Sequence, residues 1–257
     1  MQKEIGFIIR PPLPKSGKEA ARHIREDYEA LFLNLPKTID HLVAEIPYGL
    51  EYEQLVEEIR RKKLLPEPVE AWLKDSKPIL QRLKEIGGKI LTYCYKDPSS
   101  FEHGVRTSHN IALLTIRGRI KNEIEVEKWL EQLRWEVEET KKALERERKT
   151  MEEEAENYDR SICVSWLEGR WLRNQLKEKF RTWIKYVDQP YLFTPLEVLR
   201  RKLAAKGEVS EEEARHLIKE HIRFIHDYVL TNELDEAYLK WTKEKLYWHS
   251  RFRGKNT

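Results

Sequence analysis

Three short apolar runs, at residues 5–10, 41–46 and 89–95, carry Arg10, Glu45 and Asp97 at or just beyond their ends. If the runs are parallel strands, these groups converge where such sheets bind ligands, beyond the carboxyl ends of the strands. Glu45 and Asp97 are therefore candidate ligands for a divalent metal ion or candidate general bases. Arg10 would neutralise an anionic or polarised substrate group. The segment after Asp97 adds Glu102, His103, Arg106 and His109. Its histidines do not have the i, i+4 spacing of a helical metal pair.

Other residue groupings carry weaker chemistry. Lys15-Ser16-Gly17-Lys18-Glu19 opens a helix directly after the first run, but a phosphate-binding loop needs glycine at Pro12 and Ser or Thr at Glu19. An anion at this helix start is the remaining expectation. His216, His221 and His226 are five residues apart, which turns about 140° per step on a helix, so they fan around it. No Ser occupies a G-x-S-x-G elbow, and Cys94 falls inside an apolar run. Trp166, Arg170, Trp171, Arg173, Lys177, Lys179, Arg181, Trp183 and Lys185, joined by Trp248, His249, Arg251 and Arg253, alternate rings with cations. Such a surface stacks bases between phosphate-binding groups, so nucleic acid is the competing partner.

The elements that must position these residues follow from hydrophobic spacing. The first run stops at Pro11-Pro12; Ser16 with Glu19 then suggests a capping box for a helix through Ala20, Ile24, Tyr28, Leu31 and Leu35. The second run closes at Pro47 and precedes an amphipathic stretch at 52–65; a helix from Pro66 to Gly87, broken at Pro78, leads to the third run. Strand, helix, strand, helix, strand predicts a small parallel sheet of about three strands with right-handed crossover helices. Beyond it the spacing is helical: Ile111–Ile120, a long helix from Val126, and helices at 163–187, at 194–206 and from a capping box at Ser210 and Glu213 to Trp248. Along the long helix, Glu147 and Glu154 interrupt the apolar seam. The fold class is thus α/β with a large, mostly helical C-terminal portion. Residues 1–120 form the α/β core, and 121–257 are expected to pack on it as helices.

Composition bounds the function further. The 257 residues include 48 Lys and Arg against 45 Asp and Glu, with 40% apolar side chains, which is a globular balance. Residues 160–257 carry a net charge of +6 and the first 159 a net charge of −3, so the later half favours anionic partners. No run is long and apolar enough for a membrane span and no signal peptide opens the chain, which predicts a cytoplasmic protein. Cys94 and Cys163 fit no zinc or disulfide spacing and are expected to be buried thiols. Few Cys and Met beside abundant Glu, Lys and Arg is a thermophile-like composition. The long helix offers a surface for a homo-oligomer or an adaptor role.

The order of segments resembles the TraB/ChaN/erythromycin-esterase-like superfamily, which includes the Tiki proteases, over about the first 165 residues. The corresponding stretches are Gly6 to Arg10, Leu42-Val43-Ala44-Glu45-Ile46-Pro47, and Gly87-Gly88-Lys89-Ile90 through Asp97; Asn157-Tyr158-Asp159-Arg160-Ser161-Ile162 is similar to that family's helical E-R-D-like element. The resemblance implies a metal-dependent hydrolase with its site at the carboxyl ends of the strands, using Glu45, Asp97 and Asp159, with Arg10, Arg106 and Arg160 as the cations. The family's G-x-x-H motif would place histidine where this chain has Ile9, so the implied relationship is that of a divergent member.

Overall fold

The structure, a computed structural model, describes residues 2–121, 123–188 and 190–253, with side chains as far as Lys245. Its strands are β1 (Glu4–Ile9), β2 (Ala30–Pro36), β3 (Leu91–Lys96), β4 (Arg160–Ser165) and β5 (Arg181–Tyr186). Its α-helices are α1 (Pro14–Ala21), α2 (Asp40–Val43), α3 (Tyr52–Arg61), α4 (Val69–Leu73), α5 (Lys77–Ile86), α6 (Pro98–Lys121), α7 (Val126–Ala155), α8 (Gly169–Leu176), α9 (Pro195–Lys206), α10 (Glu211–Asp227) and α11 (Leu234–Arg253). The chain forms two compact units, Met1–Val105 with Glu139–Tyr191, and Arg106–Glu138 with Leu192–Thr257.

All strand pairs in the first unit are parallel, in the order β3-β2-β4-β1-β5. The chain steps one way from β1 to β2 to β3 and the other way to β4 and β5. Right-handed crossovers therefore send the connections to opposite faces. One face buries Ala20, Leu55, Ile59, Leu80 and Leu83 against Leu31, Leu33, Ile162 and Val164. The other buries Met151, Ala155, Leu172 and Leu176 against Phe7, Phe32 and Cys163. With both faces covered, β2 is buried along its whole length and β1 along all but its first residue.

This double burial explains where the sequence-based expectation fails. Ala-Leu-Phe-Leu-Asn-Leu-Pro at 30–36 is strand rather than the end of a helix, because a strand buried on both faces shows no alternation and Tyr28, Leu31 and Leu35 happen to fit helical spacing. The 41–46 run is the short helix α2 and the bend after it, not a strand. Residues 163–187, expected as helix, form the second half of β4, then α8 and β5, so the sheet has five strands and the span 121–257 is not all helical. Ser16 does not cap α1; the helix starts at Pro14 and the Ser16 hydroxyl donates to Leu13 O at 2.7 Å and to Pro11 O. The third run, the long helix from Val126 and the Ser210 cap are found as expected, with Ser210 Oγ accepting from Glu213 N at 3.3 Å.

Gly6 is required by a close approach: a Cβ there would lie 2.1 Å from the Trp183 ring, which crosses β1 and donates to Glu4 Oε1 at 3.2 Å. Gly6→Ala is expected to destabilise the fold by ~1–3 kcal/mol through overpacking, read as a lower urea midpoint.

The second unit is helical. Ile111 and Leu114 of α6, Trp129, Leu130 and Leu133 of α7, Leu199 and Leu203 of α9, and Ala214 and Ile218 of α10 share one apolar core. No helix among the described residues is long and apolar enough to cross a membrane.

Candidate functional site

The carboxyl edge of the sheet is polar, and its charges are matched internally. Arg10, directly after β1, is fully buried; its Nη1 donates to Asp75 Oδ2 at 2.8 Å and its Nη2 to Ser76 Oγ at 3.0 Å. Asp75 Oδ2 also accepts from Trp166 Nε1 at 2.9 Å. Asp75 and Ser76 occupy the break between α4 and α5, and Gly17 lets α1 close over it, since a Cβ there would lie 2.0 Å from Asp75 O. Ser16 and Gly17 of the Lys-Ser-Gly-Lys run thus serve helix packing and do not form a glycine-rich phosphate loop.

Lys96, the last residue of β3, is sandwiched between two carboxylates, Glu147 Oε2 and Glu168 Oε1, each 3.2 Å away. Burial opposes the Lys96 charge, but Glu168 and Glu147 outweigh it and hold the ammonium well above its usual range. Burial pushes the Glu147 carboxyl up against the pull of Lys96. Glu147 Oε1 also accepts from Asp97 N and Ser100 Oγ, each at 3.2 Å. Beside them Tyr95 donates to Ser165 Oγ at 2.8 Å. Asp97 binds Arg146 through Nε–Oδ2 at 2.6 Å and Nη2–Oδ1 at 3.2 Å. Burial works against its charge, yet Arg146 and Ser99 keep its carboxyl below the usual range.

Of the candidate catalytic residues in the first unit, Arg10 and Asp97 are at this edge and Glu45, Asp159 and Arg160 are not. Glu45 is exposed in the bend after α2, because the run that contains it is not a strand. Asp159 and Arg160 stand at the opposite, amino edge, where Arg160 pairs with Asp27 at 2.8 Å and Asp159 N donates to Glu29 Oε2 at 2.6 Å. A strand of this length, at roughly 3.3 Å per residue, separates the two edges by about 16 Å. Arg106 belongs to the helical unit, its guanidinium 4.3 Å from the centroid of Trp135. No group of three or more His, Cys, Asp or Glu among the described residues is placed to hold a metal ion. Asp75, Lys96, Glu147 and Glu168, which do build the edge, were not nominated by the sequence; the one signal was Glu147 interrupting an apolar seam.

The residues expected to bind nucleic acid are also redistributed. Trp171 packs against the core under α8, Arg170 and Lys177 are exposed on that helix, Arg173 is half-buried there, and Arg181 starts β5 within 3.6 Å of Glu4. A strand-helix-strand unit cannot present them as one helical face. The side chains of Arg251 and Arg253, with those of Trp248 and His249, lie outside the described residues. Both cysteines are buried free thiols. His221 is buried edge-on to Trp129, and burial lowers its imidazole to about 4. His226 instead contacts Arg119 and Asp227 at the surface.

The helical unit holds a different arrangement. A groove of about 460 Å³ is bounded by Arg106, Asn110, Arg117, Lys128 and Trp135, with one carboxylate, Glu131. A second, of about 470 Å³, has Arg119, Arg215, Lys219 and Arg223 against one carboxylate, Glu123. Arg215 is paired with Glu211 and Arg223 with Glu220. Arg117, Arg119, Lys121 and Lys219 have no carboxylate at ion-pair distance among the described residues. Around these cations α6 exposes Leu113, Ile116 and Ile120 by 42%, 54% and 77%.

No protein-family model matches the chain, and no match is found among curated proteins or solved structures.

Proposed function

We propose that this chain is a nucleic-acid-binding protein that uses the helical unit to hold single strands, with an α/β unit that is a divergent, non-catalytic relative of the TraB/ChaN-like superfamily. The observation that carries the reading is that α6 bears Arg117 in the groove of the Arg106–Trp135 stack and Arg119 in the second groove beside Lys219, neither with a carboxylate at ion-pair distance among the described residues. Cations without carboxylate partners are free to displace counterions from phosphates. A tryptophan bearing a guanidinium, with exposed leucine and isoleucine nearby, suits unstacked bases rather than a closed duplex. The hydrolase expected from the resemblance would draw on the strand-end charges. Arg10, Lys96 and Asp97 are already matched by Asp75, Glu147, Glu168 and Arg146, and Glu45 is elsewhere.

Fluorescence anisotropy with a labelled single-stranded 20-mer, as RNA and as DNA, tests the reading. The triple variant Arg117→Glu, Arg119→Glu, Lys121→Glu is expected to bind at least about tenfold more weakly than wild type. Arg170→Glu with Lys177→Glu, on the other unit, is expected to leave binding within about twofold. Equal binding by the α6 variant, or no binding by wild type at low salt, would refute the proposal.

A further inference from the structure

A second candidate binding site, independent of the helical unit, is built where β5 ends beside α1. A cavity of about 450 Å³ there lies within the range of roughly 300–1,000 Å³ typical of small-molecule sites. Its walls bring Lys15 and Lys18 from α1 and Arg22 at its C-cap together with Lys185, Tyr186 and Asp188 from β5 and the residues after it. Lys15, Lys18 and Arg22 fall at helical i, i+3, i+7 spacing, so α1 shows them all on one side. The location is the carboxyl end of the edge strand β5, the end of a parallel sheet where ligands are accommodated.

The charge balance says what fits. Two carboxylates line the cavity, and each already has a cation: Asp188 pairs with Lys15 at 2.8 Å, and Glu19 with Arg22 at 2.7 Å. Lys18 and Lys185 have no ion-pair partner among the described residues. They leave an excess of two positive charges, which complements the nearly doubly charged phosphate of a monoester at neutral pH. Burial and then the neighbouring Lys185 hold the imidazole of His23, just after α1, below the usual range. Asp188 adopts a left-handed backbone (φ 54°), which Asp tolerates better than most residues, and turns its carboxylate onto Lys15. Tyr186, 43% exposed, contributes an aromatic face to the same walls.

We propose that this cavity binds a nucleoside monophosphate, the phosphate held by Lys18 and Lys185 and the base laid on Tyr186. The experiment is isothermal titration of the full chain with adenosine monophosphate, inorganic phosphate and adenosine. Adenosine monophosphate is expected to bind tightest, inorganic phosphate more weakly, and uncharged adenosine weakest of all. Lys18→Ala with Lys185→Ala is expected to weaken adenosine monophosphate at least tenfold while leaving the melting temperature of the free protein unchanged. Tyr186→Ala is expected to weaken adenosine monophosphate but not inorganic phosphate. No detectable binding of adenosine monophosphate at millimolar concentration, or full binding by the double lysine variant, would overturn the site. Inorganic phosphate binding as tightly as adenosine monophosphate would overturn the nucleoside assignment. The α6 charge-reversal variant is expected to retain adenosine monophosphate binding, which separates this site from the nucleic-acid surface.

Discussion

Arg10→Ala is expected to cost ~3–5 kcal/mol of stability, the range for removing one partner of a buried ion pair. The guanidinium is fully buried and faces Asp75 with an opposite charge at 2.8 Å, while Trp166 and Ser76 contribute neutral hydrogen bonds to the same cluster. Without it, Asp75 keeps a carboxylate at 7% exposure beside an indole N–H and a hydroxyl. The double replacement Arg10→Met, Asp75→Leu removes both charges and is expected to recover much of the loss, because well-packed apolar pairs often equal or exceed a buried ion pair. Urea unfolding of wild type, Arg10→Met, Asp75→Leu and the double variant closes the cycle. A loss under about 1 kcal/mol for Arg10→Ala would mean that Asp75 reaches water at this edge, as surface pairs do.

Lys96→Met is expected to destabilise by a similar ~3–5 kcal/mol at neutral pH, since it strands Glu147 and Glu168 together. Here the sign of the pH dependence discriminates. A carboxyl whose folded-state pKa is raised stabilises the fold less as pH climbs from its unfolded value, near 4.3, toward the folded one. Burial already raises Glu147, and the loss of Lys96 removes the main opposing influence. The deficit of the variant is therefore expected to be large at pH 7 and to shrink toward pH 4, where Glu147 is protonated in the folded state and largely so in the unfolded one. A deficit that is flat over this range would show that Glu147 is not the group left unpaired.

What was legible in the sequence depends on how each strand is buried. β1 and β3 could be read because prolines and an Asp-Pro pair bound them sharply. β2 could not: it is buried on both faces, and its apolar residues continue a helical series begun in α1. β4 and β5 were hidden by their neighbours, since Trp171, Leu172 and Leu176 of the short helix between them lend a helical period to the whole stretch. The candidate site suffered accordingly. Arg10 was found because it ends a strand, but its partner Asp75 sits in a helix break with no local mark. Glu147 left a trace as a charge in the apolar seam of α7, where solvation is the usual explanation and a buried lysine the actual one. Arg117, Arg119 and Lys121 look like any solvated helix residues in one dimension. Only the structure shows that two of the nearby carboxylates are engaged elsewhere, Glu125 by Lys128 and Glu211 by Arg215.

The most direct test of the nucleic-acid reading is the salt dependence of single-strand binding by wild type and by Arg117→Ala with Arg119→Ala. Logarithmic affinity for wild type should fall linearly with the logarithm of salt concentration, and the double variant should make that slope shallower by about 1.4, or ~0.7 for each phosphate no longer neutralised. An affinity indifferent to salt, or the same slope in both proteins, would contradict the assignment of this surface.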